Sequence, residues 1–186
     1  MIEIAFFRAE VFFAVIWLLL RTVVWLRQKH IDGKREAILL FMYINLAVIL
    51  RIAFFPMTRV DGRVQPLLFD AASVLPLRVN LIPFVNLLNY ESSKDLLLNL
   101  IGNVSMFIPS GIILPILYKR LNNFGKVLAA GALISLGIEI LQLPFSVRAS
   151  DIDDLILNTA GVMIGYAIYT GFMHCRAKRT DARTDQ

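Results

Sequence analysis

The chain has 186 residues, of which 58% are hydrophobic and 18% charged, against roughly 45–50% and about 25% in soluble domains, and its mean hydropathy is +0.68. A water-soluble fold of this size lacks the interior to hide that much apolar surface, so the excess must face lipid. This excludes a soluble enzyme, a disordered chain and, with Cys175 as the single cysteine, a disulfide-stapled secreted module; the net charge of +5 then records membrane orientation rather than a nucleic-acid partner.

A helix needs about 20 mainly apolar residues to cross a bilayer core. Five segments meet that need: 4–26, 37–56, 96–118, 127–145 and 155–173. The first carries Arg8, Glu10 and Arg21. It has no basic stretch before it and no small-residue cleavage site after it, so it is expected to be a span and not a cleavable signal peptide. Residues 57–95 are too many for a featureless loop. They hold Pro66, Pro76 and Pro83 with apolar runs at 66–69 and 79–88, too short to span. One or two interfacial or re-entrant segments on the outer face are expected there. The expected architecture is an all-α polytopic membrane protein of about five helices. Its single membrane domain covers 1–175, and a basic, frayed cytoplasmic tail covers 176–186. No internal repeat suggests an inverted-repeat transporter.

Basic residues cluster in three connections. They are Arg27, Lys29, Lys34 and Arg35; then Lys119, Arg120 and Lys126; then Arg176, Lys178, Arg179 and Arg183. The other connections hold Arg59, Arg63, Arg78 and Lys94 spread thinly, and Arg148 alone. Dense basic clusters stay cytoplasmic, so the N-terminus is expected outside and the C-terminus inside a bacterial plasma membrane.

At 1.5 Å per residue, polar groups of all five spans fall within the outer leaflet. Arg8, Glu10 and Arg51 lie about 6–9 Å below the expected outer boundary, Asn99 and Asn103 about 5–10 Å, and Glu139, Gln142 and Asn158 about 5–9 Å. Arg21 sits near the inner boundary, where its head can snorkel to water. Charged groups at such depth turn towards each other or towards water. Ser135, Glu139 and Gln142 share a helix face at i, i+4, i+7; Asn99 and Asn103 share another, and the spacing of Asp151, Asp154 and Asn158 repeats the pattern. A polar cavity open to the outer side is the simplest assembly. Structural ion pairs among Arg8, Glu10, Arg51 and Glu139 are the alternative.

Three stretches carry more than composition. The first runs through Arg78, Asn80, Pro83 and Phe84. The second places Gly102, Asn103, Phe107, Pro109 and Gly111 as G-N-x-x-x-F-x-P-x-G. The third has Glu139 and Gln142 as E-x-x-Q, then Arg148, then Asp151, Asp154, Asn158 and Gly161 as D-x-x-D-x-x-x-N-x-x-G. In this order and spacing, over residues 78–166, the sequence resembles the VanZ-like family of bacterial membrane proteins. The resemblance implies glycopeptide resistance of the teicoplanin type.

Gly102, Gly111, Gly161 and Gly165 are expected to permit close helix contact, the last pair as G-x-x-x-G. Pro109 and Pro115 predict a kink whose freed carbonyls need a donor. Asn103 either supplies that donor or faces the cavity. Glu139 is the candidate proton donor or acceptor, or else the partner of a guanidinium that holds phosphate or carboxylate. The expected ligand site comprises Arg78, Asn103, Glu139, Gln142, Arg148, Asp154 and Asn158. Asp151, Asp153 and Asp154 have two readings: a divalent-cation site, or capping of the fifth helix. No other cofactor is expected, and no Ser-His-Asp, Cys-His, nucleotide or zinc signature can be assembled.

These residues support three functions. One is binding of an amphiphile, a lipid-linked envelope precursor or a lipoglycopeptide, with arginines on an anionic head. A second is an enzyme on a lipid-linked or phosphorylated head group with Glu139 as acid or base. The third is a structural subunit whose polar groups are interhelical glue. Whether the chain is an enzyme stays open at this point; membrane lipids are its expected surroundings, and nucleic acid is not an expected partner.

Overall fold

Long apolar runs bounded by short polar caps set the helices. In the computed structural model, which describes residues 2–28, 31–55, 59–60, 62–75, 78–85, 92–146 and 150–184, α1 spans Phe6–Gln28 and α2 spans Gly33–Phe54. The Asp32 carboxylate starts α2 by accepting the backbone N–H groups of Lys34 and Arg35 at 3.0 and 3.3 Å. Helix α3 runs Ser93–Leu117, with Pro109 and Pro115 inside it. Asn123 caps α4 (Phe124–Gln142) by accepting from the Lys126 N–H at 3.0 Å. Helix α5 covers Ile152–Thr184. All five are long and apolar enough to cross a membrane. The basic tail therefore does not fray at 176; its Ala, Arg and Lys residues are good helix formers and prolong α5.

Helix α3 is the centre of the bundle, packed most extensively on α5 and then on α2 and α4, while α1 touches little beyond α2. Glycine decides the closest contact. A Cβ on Gly161 would overlap the Val104 carbonyl, one on Gly165 the Ile108 carbonyl, and one on Gly111 the Val162 carbonyl. The α3 and α5 backbones thus meet at a distance only glycine allows. Gly131 of α4 plays the same part against the Val162 side chain. Gly102 departs from expectation: nothing lies within 4 Å of where its Cβ would stand.

Helix α1 buries no residue, as suits a helix apolar on every side and facing lipid. It is attached by aromatics: Phe13 stacks on Tyr43 and Trp17 tilts against it, each at 5.4 Å between centroids, and Phe6 meets Phe55 edge-on at 5.2 Å. Near the inner end of α1, Arg21 pairs with Glu36 of α2. A carboxylate one helix away satisfies a guanidinium better than the apolar edge of a bilayer.

The described parts of the segment between α2 and α3 form no re-entrant helix. Strand β1 (Ile2–Ile4) pairs antiparallel with β4 (Leu67–Phe69), and β2 (Arg59–Val60) pairs with β3 (Arg63–Val64) around Gly62, whose φ is +72°. A 3-10 turn covers Ala71–Val74, its first donor held by Asp70. Strand β5 (Val79–Asn80) runs parallel to β6 (Ser150–Asp151) just ahead of α5. Short chain segments without a helical period satisfy their backbone by pairing across the bundle end. Residues 86–91, which include the end of the expected 79–88 run, lie outside the described residues.

Candidate polar cavity between four helix ends

The strands cap one end of the bundle, where α2 and α4 finish and α3 and α5 begin. Between those four ends lies a cavity of about 710 Å³. Ile52, Leu98, Ile101, Met106 and Ile138 form its apolar wall. Its polar wall is Asp95, Asn99 and Asn103 from α3, Glu139 and Gln142 from α4, and Asp154 and Asn158 from α5. Each set recurs at three- or four-residue spacing, so each helix turns one polar stripe to a shared space.

The side chains are tied to one another. Asn103 Nδ2 donates to Asp154 Oδ1 at 2.6 Å and to Asn99 Oδ1 at 3.4 Å. Glu139 Oε2 accepts the Ser150 hydroxyl and the Asp151 backbone N–H, both at 2.9 Å. Gln142 Nε2 donates to the Ala53 carbonyl at 2.7 Å, one of the last carbonyls of α2. Asn158 and Ser135 are joined at 2.9 Å. Glu139, Gln142, Asn103 and Asn158 are all buried, Asn158 to 1% exposure. Two amide oxygens, Gln142 Oε1 and Asn158 Oδ1, have no hydrogen-bond donor. Buried polar atoms of that kind are rare in native proteins and call for an explanation.

Of the residues the sequence singled out, the cavity gathers Asn103, Glu139, Gln142, Asp154 and Asn158. It does not gather Arg78, whose guanidinium donates to the carbonyls of Ser146 and Phe145 at 2.6 and 3.1 Å. Arg78 thereby holds the chain that leaves α4, while its own carbonyl receives the Ser150 N–H at 3.0 Å. Arg148 lies outside the described residues. Arg51 donates to the Phe55 carbonyl at 2.9 Å and lies over the Phe6 ring.

The three aspartates meet different partners. Asp151 accepts from Asn80 Nδ2 and from the Asp153 N–H at 3.1 and 3.0 Å. Asp153 accepts the Phe84 N–H at 2.6 Å, and its second oxygen is buried without a donor. Only Asp154 reaches the cavity. Among the described residues, no group of three His, Cys, Asp or Glu side chains is arranged to hold a metal ion.

Sequence reasoning left out Asp95 and Asn99 from the site, and it missed Asn45. The spacing of Asp95, Asn99 and Asn103 was a usable signal, four residues each along one helix face. Asn45 carried none, being one amide in a long apolar run. Its Nδ2 donates to the Met106 carbonyl at 2.8 Å and its Oδ1 accepts from the Ser110 hydroxyl at 2.6 Å. That bond stands next to the Ser105 carbonyl, which Pro109 deprives of its helical donor. Asn45 thus bonds the carbonyl beside the freed one and not the freed one itself, while Asn103 faces the cavity.

Fold and cavity together define a multi-span helical membrane protein with a polar chamber set into an apolar bundle. The family model described as VanZ/LLP1 matches residues 37–174, from α2 through most of α5. The chain belongs to the VanZ/LLP1 family. It is similar to Protein VanZ of Enterococcus faecium, with 34% identity over 104 residues that make up 55% of this chain and 60% of that protein. The match thus spans three-fifths of the relative's length. No solved structure matches the chain.

Proposed function

We propose that the cavity opens to the outer face of a bacterial plasma membrane and takes the head group of a lipid-tailed envelope molecule or lipoglycopeptide, and that the protein thereby contributes to glycopeptide resistance of the teicoplanin type. The carrying observation is the cavity itself: seven polar side chains facing one space inside a bundle that is otherwise apolar. Polar groups at membrane depth are costly and by default mark a ligand path or site. A chamber of this size at one bundle end suits a head group, with the tail left among lipid chains.

The outward orientation rests on charge. Arg27, Lys34 and Arg35, then Lys119, Arg120 and Lys126, then Arg176, Lys178 and Arg179 all flank the bundle end opposite the cavity. Cys175, exposed near the far end of α5, tests it without mutation. An impermeant maleimide should label Cys175 only after cells are permeabilised, and should label Ser93→Cys in a Cys175→Ser background on intact cells. The opposite pattern overturns the orientation.

Function is tested by teicoplanin and vancomycin susceptibility in a Gram-positive host expressing the wild type, Glu139→Gln or Asp154→Asn at matched membrane levels. Teicoplanin tolerance with the wild type and loss with equally abundant variants is the expected result. A well-expressed wild type without effect overturns the resistance role.

A further inference from the structure

We propose that the bundle end opposite the cavity carries a second site, a basic pocket between α2 and α3 that holds the phosphate of an anionic glycerophospholipid from the adjoining leaflet. That leaflet is the cytoplasmic one in the orientation proposed above; the site does not depend on what the polar cavity binds.

Helix α2 begins where α3 ends, and the two leave between them a pocket of about 600 Å³. Lys34 and Arg35, in the first turn of α2, line one side, and Lys119 and Arg120, just past the end of α3, line the other. Two connections far apart in sequence thus bring one lysine and one arginine each to a shared space. Among the described residues, none of these four side chains has an ion pair or a hydrogen bond. Arginine offers a planar fork that matches two phosphate oxygens, and lysine adds a compact charge.

Nearby acids do not neutralise the pocket. Asp32 is the one carboxylate among its lining residues, and its Oδ1 accepts the Lys34 and Arg35 backbone N–H groups. Glu36 is paired with Arg21. Residues 29 and 30 are Lys and His, and 118–127 hold no acid. The tail acid Asp181 lies further out: Tyr166 meets Phe124 where α4 begins, and from Tyr166 to Asp181 the α5 axis advances ~22 Å. The start of α2 and the end of α3 carry opposite partial charges, which offset each other. Orientation alone asks only that cations lie in these connections, as Arg27 and Lys126 do without lining the pocket.

The surroundings select a lipid over a free phosphate. Ile38, Ile116 and Leu117 give the pocket an apolar floor. Nearer the membrane centre, α2 turns Phe41, Ile44 and Val48 outward at 65, 49 and 43% exposure, across an apolar groove from Pro109 and Ile112 of α3. That face is open to lipid, so acyl chains lie along it without needing a tunnel. From Arg35 to Val48 the α2 axis advances ~20 Å, which covers the ~15 Å of one leaflet's hydrocarbon.

The test uses the full chain in phosphatidylcholine nanodiscs with spin-labelled phosphatidylglycerol or spin-labelled phosphatidylcholine, alike in tail and different in head. The motionally restricted fraction in the electron paramagnetic resonance spectrum gives each association constant. A phosphatidylglycerol preference of about tenfold is expected, equivalent to ~1.4 kcal/mol. Lys119→Gln with Arg120→Gln, both exposed and between helices, should cut it to about twofold. Arg176→Gln with Arg179→Gln removes the same charge from the same bundle end outside the pocket, and should leave the preference intact. Equal losses in the two double variants would reveal only the general attraction of basic residues to anionic lipid and overturn the pocket, as would a wild type without preference. Displacement of the label by millimolar glycerol phosphate at constant ionic strength would show a soluble phosphate site and overturn the lipid. None of these results bears on the polar cavity at the other end, so the two readings fail separately.

Discussion

Asn158→Leu separates a residue kept for binding from one kept for folding. Asn158 is 1% exposed, joined to Ser135 at 2.9 Å by one end of its amide, while the other end has no partner. Leucine has nearly the same shape and removes both ends. The lost interhelical bond costs about 0.6–1.7 kcal/mol, and removal of a buried unpaired polar atom returns about 1–3 kcal/mol. Ser135 keeps a bond by turning its hydroxyl to a carbonyl of its own helix. The net effect is within about 2 kcal/mol of zero and inclines towards stabilisation. Unfolding of the purified protein in mixed micelles with rising sodium dodecyl sulfate, followed by circular dichroism, measures it. The teicoplanin phenotype should fall at unchanged membrane abundance. A loss of more than about 3 kcal/mol, the scale of a broken buried network, would show that Asn158 is a structural keystone and that its unpaired end is no mark of a ligand.

Gly161→Val should abolish stable membrane accumulation, since its side chain meets the Val104 carbonyl and overpacking costs about 3 kcal/mol or more; Gly102 lines the cavity with open space around it, so Gly102→Val should accumulate normally in the same immunoblot while losing head-group binding. Phe84 has φ 67° and is 52% exposed, so Phe84→Gly should be about 1 kcal/mol more stable than Phe84→Ala, the reverse of the usual order; equal midpoints would remove the strain. Arg21→Met removes the guanidinium paired with Glu36 at a partly exposed site and should cost up to about 1 kcal/mol, most of it recovered by adding Glu36→Met. Additive losses in that double-mutant cycle would show the pair contributes nothing.

Much of the site was readable in the sequence because helical spacing is local. Glu139 with Gln142, and Asp154 with Asn158, share faces by period alone, and their depth comes from counting residues from a span's end. Arg78 was not readable. Its motif position says it matters, but whether a guanidinium serves a ligand or two carbonyls depends on where residues 145 and 146 pass, almost 70 positions later. Asn45 failed for the same reason: its partner Met106 lies on another helix. Gly102 and Gly161 carry the same residue type and a similar motif context, yet one faces open space and the other a backbone.

The sequence by itself determined that this chain carries five segments long and apolar enough to cross a membrane and which bundle end carries its basic clusters, because a lipid-facing helix must be long and apolar and hydropathy is additive along the chain. The tertiary structure alone decided which polar stripes meet, which donors are already spent and which acceptors are left. Those properties belong to pairs of residues on different helices, and pairing across a bundle has no signature in either stretch of sequence taken alone.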